Sequence, residues 1–444
     1  MSFQAAYIPI GVPTFHLESA GAAFDASAAL LRSLDPDVAV PDEMLLSLDK
    51  LRAFLDTLHP DFLIVQNVTF ANAAYMSEVL RRFDCPILLW TLREPVIDGG
   101  RLRLNSMTGA FSAANAMRAF GRRFAYVFGA PQESAVKETV EAVLKAATVK
   151  YDMKHLKLLQ VGHTPEGFGF GRALDAEMLS AFGVGLVSIE ARELIGRAKG
   201  YTDEEAAPYL DRARACIPGL DNTPQKNLLD FARLFKAYET YVKENGIGAL
   251  SSRCWPDFFT DFGTPVCAVL AMLGDLGVPA ACEADSYGAL SMFIGQALTG
   301  LPTFFGDPVS LDEGENTVTF WHCGTAACSL ARTDTGAACS VHCNRKIGPT
   351  LDFGCKAAPQ VTIFRIGREP DGSFRFFLAR GEALDKPKQF NGTSIVVRTE
   401  GDSLALVSRA VKNGWEPHFA VVMGDVTAPV TALAEMLGIP VEQY

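Results

Sequence analysis

The chain has 444 residues, 49% of them hydrophobic, ten cysteines and a formal net charge of −11 at pH 7. That length predicts two or three domains rather than one core, and the acidic balance excludes a nucleic-acid backbone or an anionic membrane as the main partner. MSFQAAYIPIGVPTF carries no basic leader, and no uncharged apolar run reaches spanning length, so a soluble cytoplasmic protein with free thiols is expected.

The first 150 residues alternate short apolar runs with helical patterns. AAYIPI, DFLIVQ, CPILLW and FAYVFG read as buried strands, and NAAYMSEVLRRF as an amphipathic helix between two of them. Such alternation predicts a mostly parallel, doubly wound sheet. A second α/β unit is expected over 151–300, with strands LKLLQVG, GLVSIEA, GIGALSS and VPAACEA and a long helix near 222–244. PTFFGD is expected to continue that strand series. From 301 to 444 the pattern turns β-rich: TVTFWHCG, QVTIFRI and SFRFFLA, the last two joined by the hairpin-like GREPDG. An antiparallel sheet or barrel is predicted there, with helices near 402–412 and 427–437.

Within this frame ACEADSYGAL is the informative stretch. Asp285 and Ser286 can cap a helix, but that leaves Glu283 at the carboxyl end of VPAACE without a purpose. SYGALSMFIGQALTG has apolar residues at 289, 290, 293, 294, 297 and 298, one helical face closed by Gly300. Asp307 then ends PTFFGD. If the two strands are parallel neighbours, about 5 Å apart, Glu283 and Asp307 emerge on one sheet edge, where ligands bind. Paired carboxylates repel and call for a cation. Oxygen ligands suit Mg²⁺ or Mn²⁺, and an added imidazole shifts the preference toward Mn²⁺ or another transition metal. His16, His322, His342 and His418 are all placed to supply one. Cys323, Cys328, Cys339, Cys343 and Cys355 cluster in sequence but lack paired CxxC knuckles and read as buried thiols. GFGFG at 167–171 fits no nucleotide motif.

CEADSYGALSMF, TFFGD, FWHCG and GWEPHFAVVMGD, preceded by GVPTF, QNVTF, ILLWTLREP, RLRLNSMTG and RCWPDFF, resemble the L-fucose/L-arabinose isomerase superfamily. The resemblance is to its shorter, L-fucose-isomerase-like branch, which includes sulfoquinovose isomerases. It implies two α/β domains and a β-rich C-terminal domain. It also implies aldose–ketose isomerisation with Mn²⁺ or a related cation such as Mg²⁺ or Co²⁺. By resemblance, Glu283 and Asp307 are metal ligands and the catalytic acid and base, and His418 is the third ligand. His322 is a further metal or substrate residue. Thr14, His16, Gln66, Trp90 and Asn105 are substrate-binding residues of the first domain, which in the family closes a neighbouring subunit's site in a trimer or hexamer. Pro417 stands where longer members have Asn, which leaves the sugar open. Arg93, Arg101, Arg103, Arg345 and Lys346 could meet an anionic sugar such as sulfoquinovose, and Arg345 is the one assigned to substrate. A non-catalytic sugar-binding protein is the alternative from another class, and a zinc or iron–sulfur enzyme is a third.

Overall fold

The computed structural model describes residues 2–444. The chain divides into two compact units: one runs to Tyr151 and includes Ala428–Ile439, and the other comprises Asp152–Thr427 and Pro440–Tyr444.

In the first unit, β1 (Ala5–Ile10), β2 (Phe62–Asn67), β3 (Ile87–Thr91) and β4 (Ala125–Phe128) form a parallel sheet in that order. β1, β2 and β3 are buried at every position. This is why they read as continuous apolar runs rather than alternating ones: helices cover both faces.

The second unit opens with another parallel sheet, ordered β6 (Gly185–Ile189), β5 (Lys157–Val161), β7 (Ala249–Ser252), β8 (Ala280–Cys282). Helix Gln225–Asn245 turns a buried stripe that includes Phe231, Phe235 and Tyr238 toward this core. The β-rich part contains β9 (Phe304–Asp312), β10 (Thr317–His322), β11 (Ala338–Ser340), β12 (Thr350–Gly354), β13 (Ala358–Arg368), β14 (Phe374–Ala383), β15 (Thr393–Thr399), β16 (Phe419–Val422) and β17 (Val441–Gln443). Their order is β11-β12-β15-β10-β9-β16-β13-β14-β17. A further β15–β14 pairing closes six antiparallel strands into a barrel. Closure removes the edges that an open sheet would expose. Among the described residues no helix is long and apolar enough to cross a membrane.

One topological expectation is corrected. β9 does not join β8 in the parallel sheet; it belongs to the barrel and runs antiparallel to β10 and β16. Asp307 accordingly lies inside β9 and not at a strand terminus. The helix between them, Ser286–Thr299, packs on strands of both the parallel sheet and the barrel and is buried on nearly all sides. Two-sided cover overrides the one-faced pattern, and small Ser286, Gly288, Ser291 and Gly295 let both layers approach.

Candidate active site

Barrel register assembles half of the site. β9 lies between β10 and β16, with Asp307 opposite Trp321 and Gly306 opposite Phe419. His322, the last residue of β10, and His418, just before β16, therefore flank Asp307 at one barrel end. The other half comes from the residues after β8. Glu283 (φ 58°) and Ala284 (φ 55°) are both left-handed. For non-glycine residues that conformation costs roughly 1–2 kcal/mol each, and the bonds of the neighbouring Asp285 carboxylate hold it in place. Asp285 caps the next helix, accepting from the Gly288 backbone N–H at 2.8 Å. The same carboxylate meets Arg365 Nη1 at 2.5 Å and His418 Nδ1 at 2.9 Å.

All three charged partners of this network are buried: Asp285 and His418 are 1% exposed and Arg365 is 0% exposed. Burial alone would raise the Asp285 pKa, but the Arg365 charge and the His418 hydrogen bond hold it well below the usual carboxylate range. An ionised Asp285 can only accept, so His418 Nδ1 donates and its Nε2 faces outward. Nε2 lies 3.0 Å from Glu283 Oε2 and 3.5 Å from Asp307 Oδ1. A bare nitrogen and two carboxylates converging on one point repel unless a cation lies among them. A proton on Nε2 is one solution. Burial disfavours the imidazolium, yet Asp285 and Glu283 outweigh that and raise the His418 pKa. A divalent ion replacing that proton is the other, and the donor set of oxygens plus imidazole fits one.

His322 completes a trio with Glu283 and His418 whose ligand atoms all lie within 4.8 Å of one another; Asp307 falls outside that trio. The tautomer separates the two histidines. The Cys323 backbone N–H donates to His322 Nδ1 at 3.0 Å. Burial opposes a charge on His322, and the Cys323 sulfur, Asp307 and Glu283 favour one. These charges outweigh burial and push the His322 pKa up to about 10; in the neutral ring with Nδ1 accepting, as in the cation, Nε2 carries a proton, which makes His322 a donor where His418 is a lone-pair ligand. Burial raises the Asp307 pKa, partly offset by the two histidines.

Glu283, Asp307, His322 and Arg345 line one cavity of about 330 Å³, together with Cys254, Trp255, Trp321, Cys323, His342 and Asn344. Trp255 Nε1 reaches Glu283 Oε1 at 3.4 Å. The Arg345 guanidinium lies over the rings of Trp255 (5.7 Å) and Phe259 (5.6 Å). Among the described residues it has no carboxylate partner within salt-bridge distance.

Several contributors escaped the sequence. Asp285 was legible only as a cap, and Arg365 was hidden in a strand pattern. GFGFG is a packing loop. Phe168 packs tilted and Phe170 edge-on against His418, at 6.2 and 5.3 Å, and a Cβ on Gly171 would come within 2.9 Å of the Asp285 backbone.

The first-unit candidates divide. The segments carrying Thr14, His16 and Asn105 meet beyond the carboxyl ends of that unit's strands. His16 N–H bonds the Arg103 carbonyl at 3.0 Å, and Arg101 bonds the Thr14 carbonyl. Thr14 is exposed, and His16 and Asn105 are half-buried helix N-caps. Gln66 and Trp90 lie inside the unit: both are 0% exposed. Gln66 is bonded to Tyr7 and Ser27, and Trp90 to the Gly129 carbonyl. Side chains alternate along a strand, and these two point into packing, whereas a ligand edge needs residues past the strand end.

Residues 322–444 match the profile of the L-fucose isomerase C-terminal domain. Over its full length the chain is 63% identical to a sulfoquinovose isomerase from Clostridium sp. (strain MSTE9), covering 99% of that protein. It is 38% identical to one from Priestia aryabhattai, over 99% of this chain and 98% of that one. It is 35% identical to one from Alkalicoccus urumqiensis, over 98% of each. Together with a cavity lined by Glu283, Asp307 and His322, with His418 Nε2 against both carboxylates, these matches mean that the chain belongs to the L-fucose-isomerase-like family of aldose–ketose isomerases that includes the sulfoquinovose isomerases.

Proposed function

We propose that this isomerase interconverts sulfoquinovose, an aldohexose with a sulfonate on C6, and its 2-ketose, and that it does so with a bound divalent cation, Mn²⁺ first. The observation that carries this is the composition of one cavity: Glu283 and Asp307 line it and converge on His418 Nε2, while Arg345 stands in the same cavity with no ion-pair partner among the described residues. The names of the relatives point to the same sugar.

Glu283, Asp307 and His418 would hold the cation, which when bound supplies Lewis acidity toward the sugar's C1 and C2 oxygens. The chain's own groups do the rest. One carboxylate takes the proton from C2 of the aldose, giving an enediolate, and returns it to C1. Asp307, on the strand between those leading to His322 and His418, is the candidate for that base. Glu283, steadied by Trp255 Nε1, and the Nε2–H of His322 are placed to move the hydroxyl proton between O1 and O2. Arg345, pre-oriented on two aromatic faces, meets the sulfonate and fixes which end of the sugar faces the acids. By family resemblance we further propose a homo-oligomer in which the loops carrying Thr14, His16 and Asn105 cover a neighbouring subunit's site.

A turnover screen over neutral, phosphorylated and sulfonated aldoses, with Mn²⁺ present, tests the assignment. Sulfoquinovose should be the preferred substrate. A neutral deoxyhexose or pentose turned over with higher kcat/KM would refute the sulfonate reading while leaving the isomerase standing.

A further inference from the structure

Cys267, Cys323 and His342 are all buried, and their ligand atoms all lie within 4.8 Å of one another. They come from three separate segments. Cys267 opens helix Cys267–Asp275, Cys323 follows β10, and His342 sits in the loop after β11. Cys267 and Cys282 each interact with Cys323, and Cys282 with Cys254, so four thiols share this part of the core. None of these thiols carries out a step of the isomerisation described above; Cys323 acts there only on His322. Two of the three donors, Cys323 and His342, also line the sugar cavity.

We propose that Cys267, Cys323 and His342 form a second metal site, distinct from the carboxylate–imidazole site, for a thiophilic divalent ion of the zinc class. Thiolate and imidazole donors select Zn²⁺ over Mn²⁺ or Mg²⁺, which prefer the oxygens of Glu283 and Asp307. Three protein donors are the complement of a zinc site that keeps its fourth position open, and here two of the three face the cavity. Binding converts two thiols to thiolates and releases two protons. His342 gives up little to turn a bare nitrogen to the ion: its Nδ1 receives only two long contacts, 3.3 Å each, from the Asn344 and Arg345 backbone N–H groups. The pairing is not read from local spacing, since Cys267 lies far from the other two in sequence.

The test uses the full-length enzyme, reduced and stripped of metal, then titrated with Co²⁺ as a spectroscopic substitute for Zn²⁺. A cobalt ion at Glu283, Asp307 and His418 has no sulfur ligand and gives no thiolate charge-transfer band. The wild type should develop such a band, and Cys267→Ala should lose it while keeping Mn²⁺-supported turnover. In Cys267→Ala, Zn²⁺ affinity at this site should fall by at least about 10–100-fold, the loss that accompanies removal of even an outer-shell partner. No thiolate band in the wild type at saturating Co²⁺, or an unchanged band in Cys267→Ala, would overturn the proposal. Should that variant fail to fold, zinc K-edge absorption on the Mn²⁺-saturated wild type decides. Sulfur scatterers at about 2.3 Å support the site, and a shell of only nitrogen and oxygen overturns it.

Discussion

Asp285→Asn is the most revealing single change, because it keeps the side chain's shape and removes its charge. In the wild type this carboxylate serves three partners at once: the Gly288 N–H at 2.8 Å, His418 Nδ1 at 2.9 Å and Arg365 Nη1 at 2.5 Å. Asparagine can keep the cap. It cannot neutralise Arg365, whose guanidinium is 0% exposed and whose Nε and Nη2 have no hydrogen-bond partner among the described residues, with Glu416 as the other acid acting on it. Leaving one member of a buried ion pair uncompensated costs about 3–5 kcal/mol. The amide also no longer forces a proton onto His418 Nδ1, so the imidazole loses its fixed tautomer. Loss of such an outer-shell partner typically lowers metal affinity about 10–100-fold. The two effects can be separated. In Asp285→Asn/Arg365→Met the stranded charge is gone, so stability should largely return, whereas Mn²⁺ affinity should remain weak. Denaturant unfolding reports the first quantity and competition with a calibrated chelator the second. Wild-type Mn²⁺ affinity in Asp285→Asn, or full recovery of affinity in the double variant, would show that Asp285 does not orient His418.

The same geometry fixes further outcomes. Chelation should abolish turnover and Mn²⁺ restore it, and Glu283→Gln should lose both ion affinity and activity in equilibrium dialysis and kinetic assays. Because the raised pKa of His418 keeps a competing proton on Nε2 to higher pH, Mn²⁺ affinity should fall as pH drops through that pKa. Calorimetry in buffers of different ionisation enthalpy should accordingly detect proton release on binding. Arg345→Met should cost about 1.5 kcal/mol, roughly tenfold in kcat/KM, toward a sulfonated sugar, chiefly through KM. A comparable loss toward a neutral aldose would place Arg345 outside sulfonate recognition.

Much of the fold is legible because continuous apolar runs such as FLIVQN and ILLWT can only be strands covered on both faces, and because GREPDG between two β runs can hardly be anything but a hairpin. The chemistry-bearing residues stood out where a polar group interrupts such a run: Glu283 after AAC, Asp307 within FFGD, His418 before FAVV. How they meet was not legible. Their convergence depends on the register of β9 between β10 and β16, a tertiary pairing that no local pattern encodes. Arg365 was invisible for the opposite reason: nothing local in VTIFRIG marks its arginine as buried, and its distant partner Asp285, with Glu416, makes that burial tolerable. Gln66 and Trp90 lie one residue before their strand ends, and their side chains are bonded within the packing, to Ser27 and to the Gly129 carbonyl.

Cation-dependent proton transfer on a sulfonated aldose can be tested in one NMR experiment. Sulfoquinovose is incubated in D₂O with enzyme reconstituted with Mn²⁺, and the metal is removed before the spectrum is recorded. Conversion to the 2-ketose should place deuterium at C1, partially if the base is shielded from solvent, and metal-free enzyme should give no conversion. Conversion with no solvent deuterium over many turnovers would contradict carboxylate-mediated proton transfer, and equal conversion by a verified metal-free sample would contradict the cation site itself.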